Sequence, residues 1–278
     1  MMRALWSAAS GMIAQQTNVD TISHNLANVN TTGYKSEITE FKTLLYQNLQ
    51  TPTTTANGEQ KPIPAQVGLG TRVASITSLY NQQGAFQATD SDTAFAIQGK
   101  GFFAVNGGDG ETYYTRDGNF FFSRNTDGTY NLSDASGHPV LDIDNQPIRF
   151  PGTINGNDVK MTEIQVTDDG QFFYIDTDGN AVNLEIQIAL YQFNNPSGLE
   201  KRSGNLLRQT EASGEPISEA YDTGITISTI HQGYLERSSV QVADEMVNLI
   251  IAQRAYELNS KAITTSDTML EQANNLKR

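Results

Sequence analysis

Apolar residues recur at seven-residue spacing near both ends of this chain. Toward the C-terminus, Val242, Leu249, Tyr256, Ile263 and Leu270 mark four heptads, flanked by Met246, Ala252, Ala255, Asn259, Ala262, Ser266 and Met269. The pattern predicts a long amphipathic helix over 238–278. Ser238 with Gln241 three residues on reads as a capping box at its start. Gln253, Ser260 and Asp267 thin the seam further along, so such a helix needs a partner to bury it. Leu5, Met12, Val19 and Leu26 repeat the spacing at the N-terminus, with Ala9, Ile22 and Val29 between them. Two terminal heptad helices fit a coiled-coil pair with Leu249, Tyr256 and Ile263 facing Leu5, Met12 and Val19. On periodicity alone, a helical hairpin closing an ordinary globular domain fits as well.

Between the ends the pattern changes. The first helix is expected to fail at Asn28–Gly33, where Asn, Thr and Gly are poor helix interiors. Residues 51–66 hold three of the eight prolines and no apolar period, the composition of a long exposed loop. Residues 67–76 alternate as a strand. From 94 to 200, short apolar runs such as Phe102–Val105, Tyr113–Arg116, Phe120–Phe122 and Phe172–Ile175 alternate with turn clusters at Asp117-Gly118, Asp127-Gly128, Ser136-Gly137 and Asp176–Gly179. That pattern predicts an antiparallel sandwich or barrel. The predicted class is therefore α+β: long terminal helices forming a paired, coiled-coil-like domain, with a β-rich middle inserted between them.

Charge narrows the partners. Eighteen Lys and Arg against 31 Asp and Glu give a formal charge of −13, which argues against nucleic acid or an anionic membrane surface as partner. Fifteen of the acids lie between residues 90 and 180 against five bases, so that stretch alone carries 5 − 15 = −10. The absence of cysteine excludes disulfides, thiolate zinc sites and cysteine nucleophiles. No apolar run reaches the roughly 20 residues of a membrane span. Arg3 and the following Ala4–Ala14 faintly imitate a secretory signal, but Ser7, Ser10 and Gly11 interrupt it and the heptads run through it; it reads as mature helix.

Long blocks of residues resemble those of the bacterial flagellar axial proteins, the rod and hook subunits. The N-terminal signature runs from Gln15 to Lys35, with Asn25, Leu26, Ala27, Asn28, Asn30, Thr31, Gly33, Tyr34 and Lys35 at its core. Phe41–Gln47 is similar to the segment that marks the distal-rod member. Gly99–Phe103, Tyr114–Phe120, Gly137–Leu141, Asn195–Leu199, Gly204–Leu206, Gln232–Glu236, Glu245–Ile250 and Gln253–Lys261 match as well, while 142–190 is least informative. His24 and Ser239 depart from the pattern, and Ser caps a helix about as well as the expected Asn.

Candidate chemistry is thin. His24, His138 and His231 are scattered, with no second ligand at metal spacing. Tyr174–Glu185 places Asp, Asp, Gly and Glu as a calcium loop would, but begins with Tyr and is flanked by strand-like residues, so a hairpin turn fits better. Gly99-Lys-Gly lacks the third glycine of a nucleotide fingerprint, and no Gly-x-Ser-x-Gly occurs. No catalytic, cofactor or metal site is expected.

The resemblance implies a non-enzymatic subunit of the flagellar basal-body rod, most like the distal rod. It implies export without a cleaved signal by the flagellar export apparatus, and helical polymerisation outside the cytoplasmic membrane into a hollow drive shaft. Implied partners are copies of itself, neighbouring proximal-rod and hook subunits, and bushing or ring proteins. The expected division is 1–35 with 238–278 as the helical assembly domain, 36–93 with 200–237 as a connecting, partly β segment, and 94–199 as a β-rich outer domain. A proximal-rod or hook subunit is the nearest alternative. A cell-wall glycan enzyme using acidic residues, or a carbohydrate-binding or adhesive β module, is the alternative from another class.

Overall fold

The computed structural model describes residues 2–50, 65–108, 110–125, 127–151, 153–154, 157–158, 164–175, 181–222 and 224–276. Most of the expected 51–66 loop and the Asp176–Gly179 turn lie outside them. The chain is α+β, with a helix at each end and a β-rich middle. It divides into two compact units: residues 1–27, 37–78 and 241–278 form the first, and 28–36 with 79–240 the second.

In the first unit, α1 (Met2–Ala27) packs against α2 (Val242–Asn275) and against the strands Glu37–Thr43 and Thr71–Ser78. Small residues on α1 permit this close approach. A Cβ added at Gly11 would lie 2.9 Å from the Asn259 amide, and Ser10 Oγ sits where a Cβ on Gly70 (φ 114°) would need to be. The Ser and Gly that spoil the signal-like stretch are thus the residues α1 uses for contact. The two strands pair antiparallel with a bulge between Glu40 and Phe41. Tyr46–Gln50 pairs with Ala65–Gly68. The alternation expected over 67–76 is therefore two strands, broken at Leu69-Gly70, not one.

α1 ends at Ala27, at the expected boundary, and Thr31 Oγ1 donates to Asn28 Oδ1 (3.1 Å) in the turn that follows. The start of α2 differs from the expected capping box. The residue preceding the helix is Gln241, extended and without a side-chain cap, while Ser238 Oγ accepts the Val240 N–H at 3.3 Å, outside the helix. Asp244 and Glu245 instead supply negative charge to the first turn, where the helix dipole favours it.

The second unit is antiparallel throughout its described strands. The largest sheet has the order Glu200–Lys201, Leu207–Arg208, Thr112–Thr115, Phe102–Asn106, Leu190–Gln192, Ile217–Ser218. Two three-stranded sheets and the strand pair Phe95–Gln98 with Thr229–Gln232 pack beside it. Phe95, Phe103, Phe120, Phe150 and Phe172 are fully buried, and their rings meet mostly edge to face in one core cluster, while Phe102, Tyr114, Tyr191 and Phe193 belong to a second. Among the described residues no sheet closes into a barrel. Turns at residues such as Asn145 (φ 58°) and Gly128 (φ 78°) stop the strands after a few residues, so several open sheets share the core. Tyr174 and Glu185 lie on neighbouring antiparallel strands, not at the borders of helices.

Candidate functional site: the terminal helices and the buried clasp of the N-terminal motif

The motif residues that follow the heptads divide between the two units, and each has a local physical task. Asn25 is 1 % exposed and acts within the first unit. Its Nδ2 donates to the Glu37 carbonyl (2.8 Å) and to Glu245 Oε1 on α2 (3.0 Å), while its Oδ1 accepts the Glu37 N–H (2.9 Å). One amide thus ties the end of α1 to the first strand and to the first turn of α2. An aspartate here could not donate, and an alanine would remove both hydrogen bonds to the half-buried Glu37 backbone. Burial raises the Glu245 carboxyl above its ordinary range, the Asn25 hydrogen bond opposes this, and neighbouring Asp244 adds to it. Beside it, Thr39 and Thr21 share a buried hydroxyl pair at 2.9 Å.

The heptad residues differ in placement. On α1, Leu5, Met12, Val19 and Leu26 are half-buried, while Ala8, Ala14 and Ile22 are buried. On α2, Leu249, Ile263 and Leu270 are half-buried, and the most enclosed positions are Ala252 and Ser266. Val242, Met246 and Tyr256 are 41, 54 and 38 % exposed in the single chain. The inward positions of α2, Glu245, Leu249, Ala252, Ala255, Asn259, Ser260, Ile263, Ser266 and Leu270, include four polar residues and two alanines. Facing outward are Trp6 and Ile13 on α1 and Val247, Ile250, Ile251 and Leu258 on α2, each more than half exposed. That is more large apolar surface than helices facing only water usually carry.

In the second unit the rest of the motif forms a clasp. Thr32 Oγ1 donates to Asp117 Oδ1 at 2.7 Å, and the Gly33 N–H donates to the Glu236 carbonyl at 2.8 Å. Gly33 has φ 67°, and its α-carbon lies so near the chain at Arg116 that an added Cβ would fall 2.6 Å from the Arg116 carbonyl carbon. Only glycine suits both demands. Two residues on, Lys35 enters the interior. Its Nζ lies 2.5 Å from Glu236 Oε1 and 2.9 Å from the Gln82 carbonyl, with both side chains of the pair no more than 3 % exposed. Arg116 Nη1 lies 3.4 Å from the other Glu236 oxygen, Nη2 donates to the Gly99 carbonyl, and the guanidinium stacks 5.2 Å over the Phe102 ring. Glu236 Oε1 also accepts the Gly84 N–H (2.9 Å).

A second buried carboxylate, Glu219, accepts from Gln192 and from the Ser228 hydroxyl and N–H. Two cations and two anions thus balance out of water. Burial lowers the pKa of Lys35, Arg116 lowers it further and Glu236 opposes both. Burial likewise lowers that of Arg116, against Glu236 and Glu219. Ser239, the departure from the family pattern, accepts the Ser36 N–H through its hydroxyl (2.9 Å) and donates its own N–H to the Tyr34 carbonyl (3.1 Å). It belongs to this clasp and not to the helix cap.

Lys35, Arg116 and Glu236 each stand inside a block that sequence reading singles out, yet nothing in their spacing joins them. The available signal was a charged residue embedded among small, turn-forming and aromatic neighbours three times over. His138 pairs locally with Asp134 (2.9 Å) and His231 with Gln98 (2.7 Å).

Comparison with known proteins agrees with the blocks. Residues 5–35 match the family described as flagella basal body rod protein. Residues 96–183 match the D1 domain of flagellar hook protein FlgE/F/G, and 231–276 the C-terminal region of flagellar basal body rod FlgEFG proteins. The chain is 43 % identical to the flagellar basal-body rod protein FlgG of Borreliella burgdorferi over the whole of both chains. It is 40 % identical to FlgG of Buchnera aphidicola from Schizaphis graminum, over 99 % of this chain and all of the other. It is 34 % identical to FlgG of Bacillus subtilis, again over both chains entirely.

Proposed function

Because this chain belongs to the flagellar basal-body rod family, we infer that it is a structural subunit of the distal rod that polymerises with copies of itself into the shaft of the flagellum. The observation that carries this is similarity to FlgG proteins along the full length of the aligned chains, at 43 % identity to that of Borreliella burgdorferi. The exposed apolar faces of α1 and α2 support it, since they suit burial between repeated subunits better than contact with water. Heterologous contacts of that kind generate open helical filaments.

In this reading the terminal segments 1–35 and 238–278 form the assembly domain, and the heptads of α1 and α2 pair as a coiled coil within the inner layer of the filament. The chain leaves through the flagellar export apparatus without a cleaved signal, and its shaft stands in the cell envelope outside the cytoplasmic membrane. Among the described residues no helix is long and apolar enough to cross that membrane. Its neighbours along the axis are proximal-rod and hook subunits, with ring proteins around it. The subunit has no enzymatic role and no cofactor.

The test is assembly in vitro and in a motile strain. Leu249→Asp and Met12→Asp place a carboxylate in the proposed seam and are expected to abolish filaments while leaving the second unit folded by circular dichroism. Filaments formed by both variants would assign the seam elsewhere.

A further inference from the structure

The helix pair of the first unit carries both halves of a contact that one chain cannot make with itself. α1 and α2 run antiparallel, for Gly11 lies against Asn259 while Asn25 bonds Glu245. Partway along the pair a groove of about 380 Å³ opens, lined by Gln16 and Val19 from α1 and by Gln253, Tyr256 and Glu257 from α2. Spacings of three and four residues set these side chains on one face of each helix. Val19 is half-buried and Tyr256 is 38 % exposed, so the floor offers apolar surface that a visiting side chain can reach. The rim is polar, with the exposed amides of Gln16 and Gln253 and the exposed carboxylate of Glu257.

Near the start of α1, Trp6 is the sole tryptophan of the chain and is 70 % exposed. Its indole makes no ring contact or hydrogen bond among the described residues. Tryptophan is the residue type most enriched among the anchors of protein interfaces. At about 1.5 Å per residue, Trp6 stands about 15 Å of helix axis before Gln16 and about 20 Å before Val19. That is beyond the reach of an indole. A chain therefore cannot seat its own Trp6 in its own groove.

The chemistry of the groove singles out Trp6 among the exposed apolar side chains of the two helices. Ile13, Val247, Ile250, Ile251 and Leu258 have no polar atom to meet the rim. Trp6 has a ring wide enough to cover Val19 and Tyr256, and one N–H that a glutamine carbonyl or the Glu257 carboxylate accepts. Charge supplies a second match. Copies of formal charge −13 repel one another, so a contact between them needs local pairing. Arg3, one helical turn before Trp6 on the same side of α1, has no ion pair among the described residues. Glu257 Oε2 accepts from Arg254 at 2.7 Å, and its side chain is 52 % exposed, with the other oxygen open to a second cation. We propose that Trp6 of one copy seats in the Tyr256 groove of the next, with Arg3 beside it reaching Glu257. Knob and hole lie on different parts of the surface, so each joined pair still presents one free knob and one free groove, and the series stays open. This contact rests on the rod reading, for which it supplies a repeating joint.

Filament growth by the full-length chain, followed by sedimentation, tests it. Trp6→Ala should raise the concentration needed for filaments about tenfold or more, the loss of one interface anchor. Trp6→Phe keeps a ring without the N–H and should raise it about two- to tenfold, the worth of one hydrogen bond. Trp6 faces solvent in the single chain, so circular dichroism of both variants should match wild type. Arg3→Glu and Glu257→Arg should each weaken assembly and together restore it. A role within one chain gives no such rescue, because the two side chains lie about 15 Å apart along the helix pair. Finally, p-benzoylphenylalanine placed at position 6 should, on irradiation of filaments mixed from isotope-labelled and unlabelled copies, join the 253–257 stretch of another copy and yield a ladder of products. Wild-type assembly by Trp6→Ala, no rescue by the charge swap, cross-links elsewhere, or cross-linked dimers with nothing longer would each overturn the contact and leave the rod reading standing. Failure of the wild-type chain to form any filament would instead remove the rod reading, and the contact with it.

Discussion

Replacing Gly33 by alanine separates two costs that usually arrive together. The first is conformational: Gly33 has φ 67°, and an L-residue there costs roughly 1–2 kcal/mol. The second is steric. The new Cβ would lie 2.6 Å from the Arg116 carbonyl carbon and 2.7 Å from both the Arg116 oxygen and the Asp117 nitrogen, all backbone atoms. Ordinary carbon contacts lie near 3.5–4.0 Å, so a shift of about 1 Å is needed. The Arg116 segment is poorly placed to give way, because its guanidinium is held by Gly99 and Glu236 in the interior. Overpacking of this kind costs about 1–3 kcal/mol. Gly33→Ala should therefore lose about 2–5 kcal/mol.

Gly128 provides the control within the same unit. Its φ is 78°, and nothing lies within 4 Å of the position its Cβ would take. Gly128→Ala should show the conformational cost alone, roughly 1–2 kcal/mol. Urea unfolding of both full-length variants, followed by circular dichroism in the β region, gives the difference. Hydrogen exchange at Gly33 adds a local readout, since the shift would stretch its bond to the Glu236 carbonyl. Equal losses in the two variants would refute the close approach at Arg116 and the role assigned to Gly33.

The remaining predictions concern buried charge. Glu236→Gln keeps the shape of the clasp but removes the carboxylate that Lys35 and Arg116 share, and should cost about 3 kcal/mol or more. Adding Lys35→Met removes one stranded charge and should restore a good part of that loss; a double-mutant cycle by urea titration would expose plain additivity, which would count against the pair. Glu245 titrates above its ordinary 4.5 in the folded chain, so its contribution to stability is fully present below about pH 4.5 and is lost as pH rises through the raised value. Glu245→Gln keeps an acceptor for Asn25 and escapes that loss. It should unfold at higher urea than wild type at pH 7 and converge on it in acid, whereas a gap that widens toward low pH would reverse the assignment.

Much of the fold was legible because local chemistry and tertiary structure agree. The heptads over 242–270 form a helix, Asn28–Gly33 ends the first one, and Asp-Gly turns separate short antiparallel strands. The misreadings arose where tertiary contacts overrode local preference. Ser238 has the spacing of a cap, yet that stretch is drawn into the clasp, where Ser239 bonds Ser36 and Tyr34, and the helix starts later. The turns were readable but the sheets were not, since nothing in a strand four residues long states which neighbour it pairs with. Lys35, Arg116 and Glu236 lay hidden for the same reason: pairing across such distances leaves no periodic mark. Asn25 could be recognised by resemblance, but its double bond to Glu37 could not.

The ion pair between Lys35 and Glu236 joins residues 201 positions apart. During synthesis, or passage through a narrow channel N-terminus first, Lys35 emerges early and its carboxylate comes only after most of the β strands. Until then the lysine stays hydrated, since burying it unpaired would cost several kcal/mol. Loop-closure entropy over so long a span grows only logarithmically and is no great obstacle once both ends are present. The order of events is thereby written into the chain. The middle unit can collect its strands beforehand, but it closes last, when the segment leading into the C-terminal helix arrives.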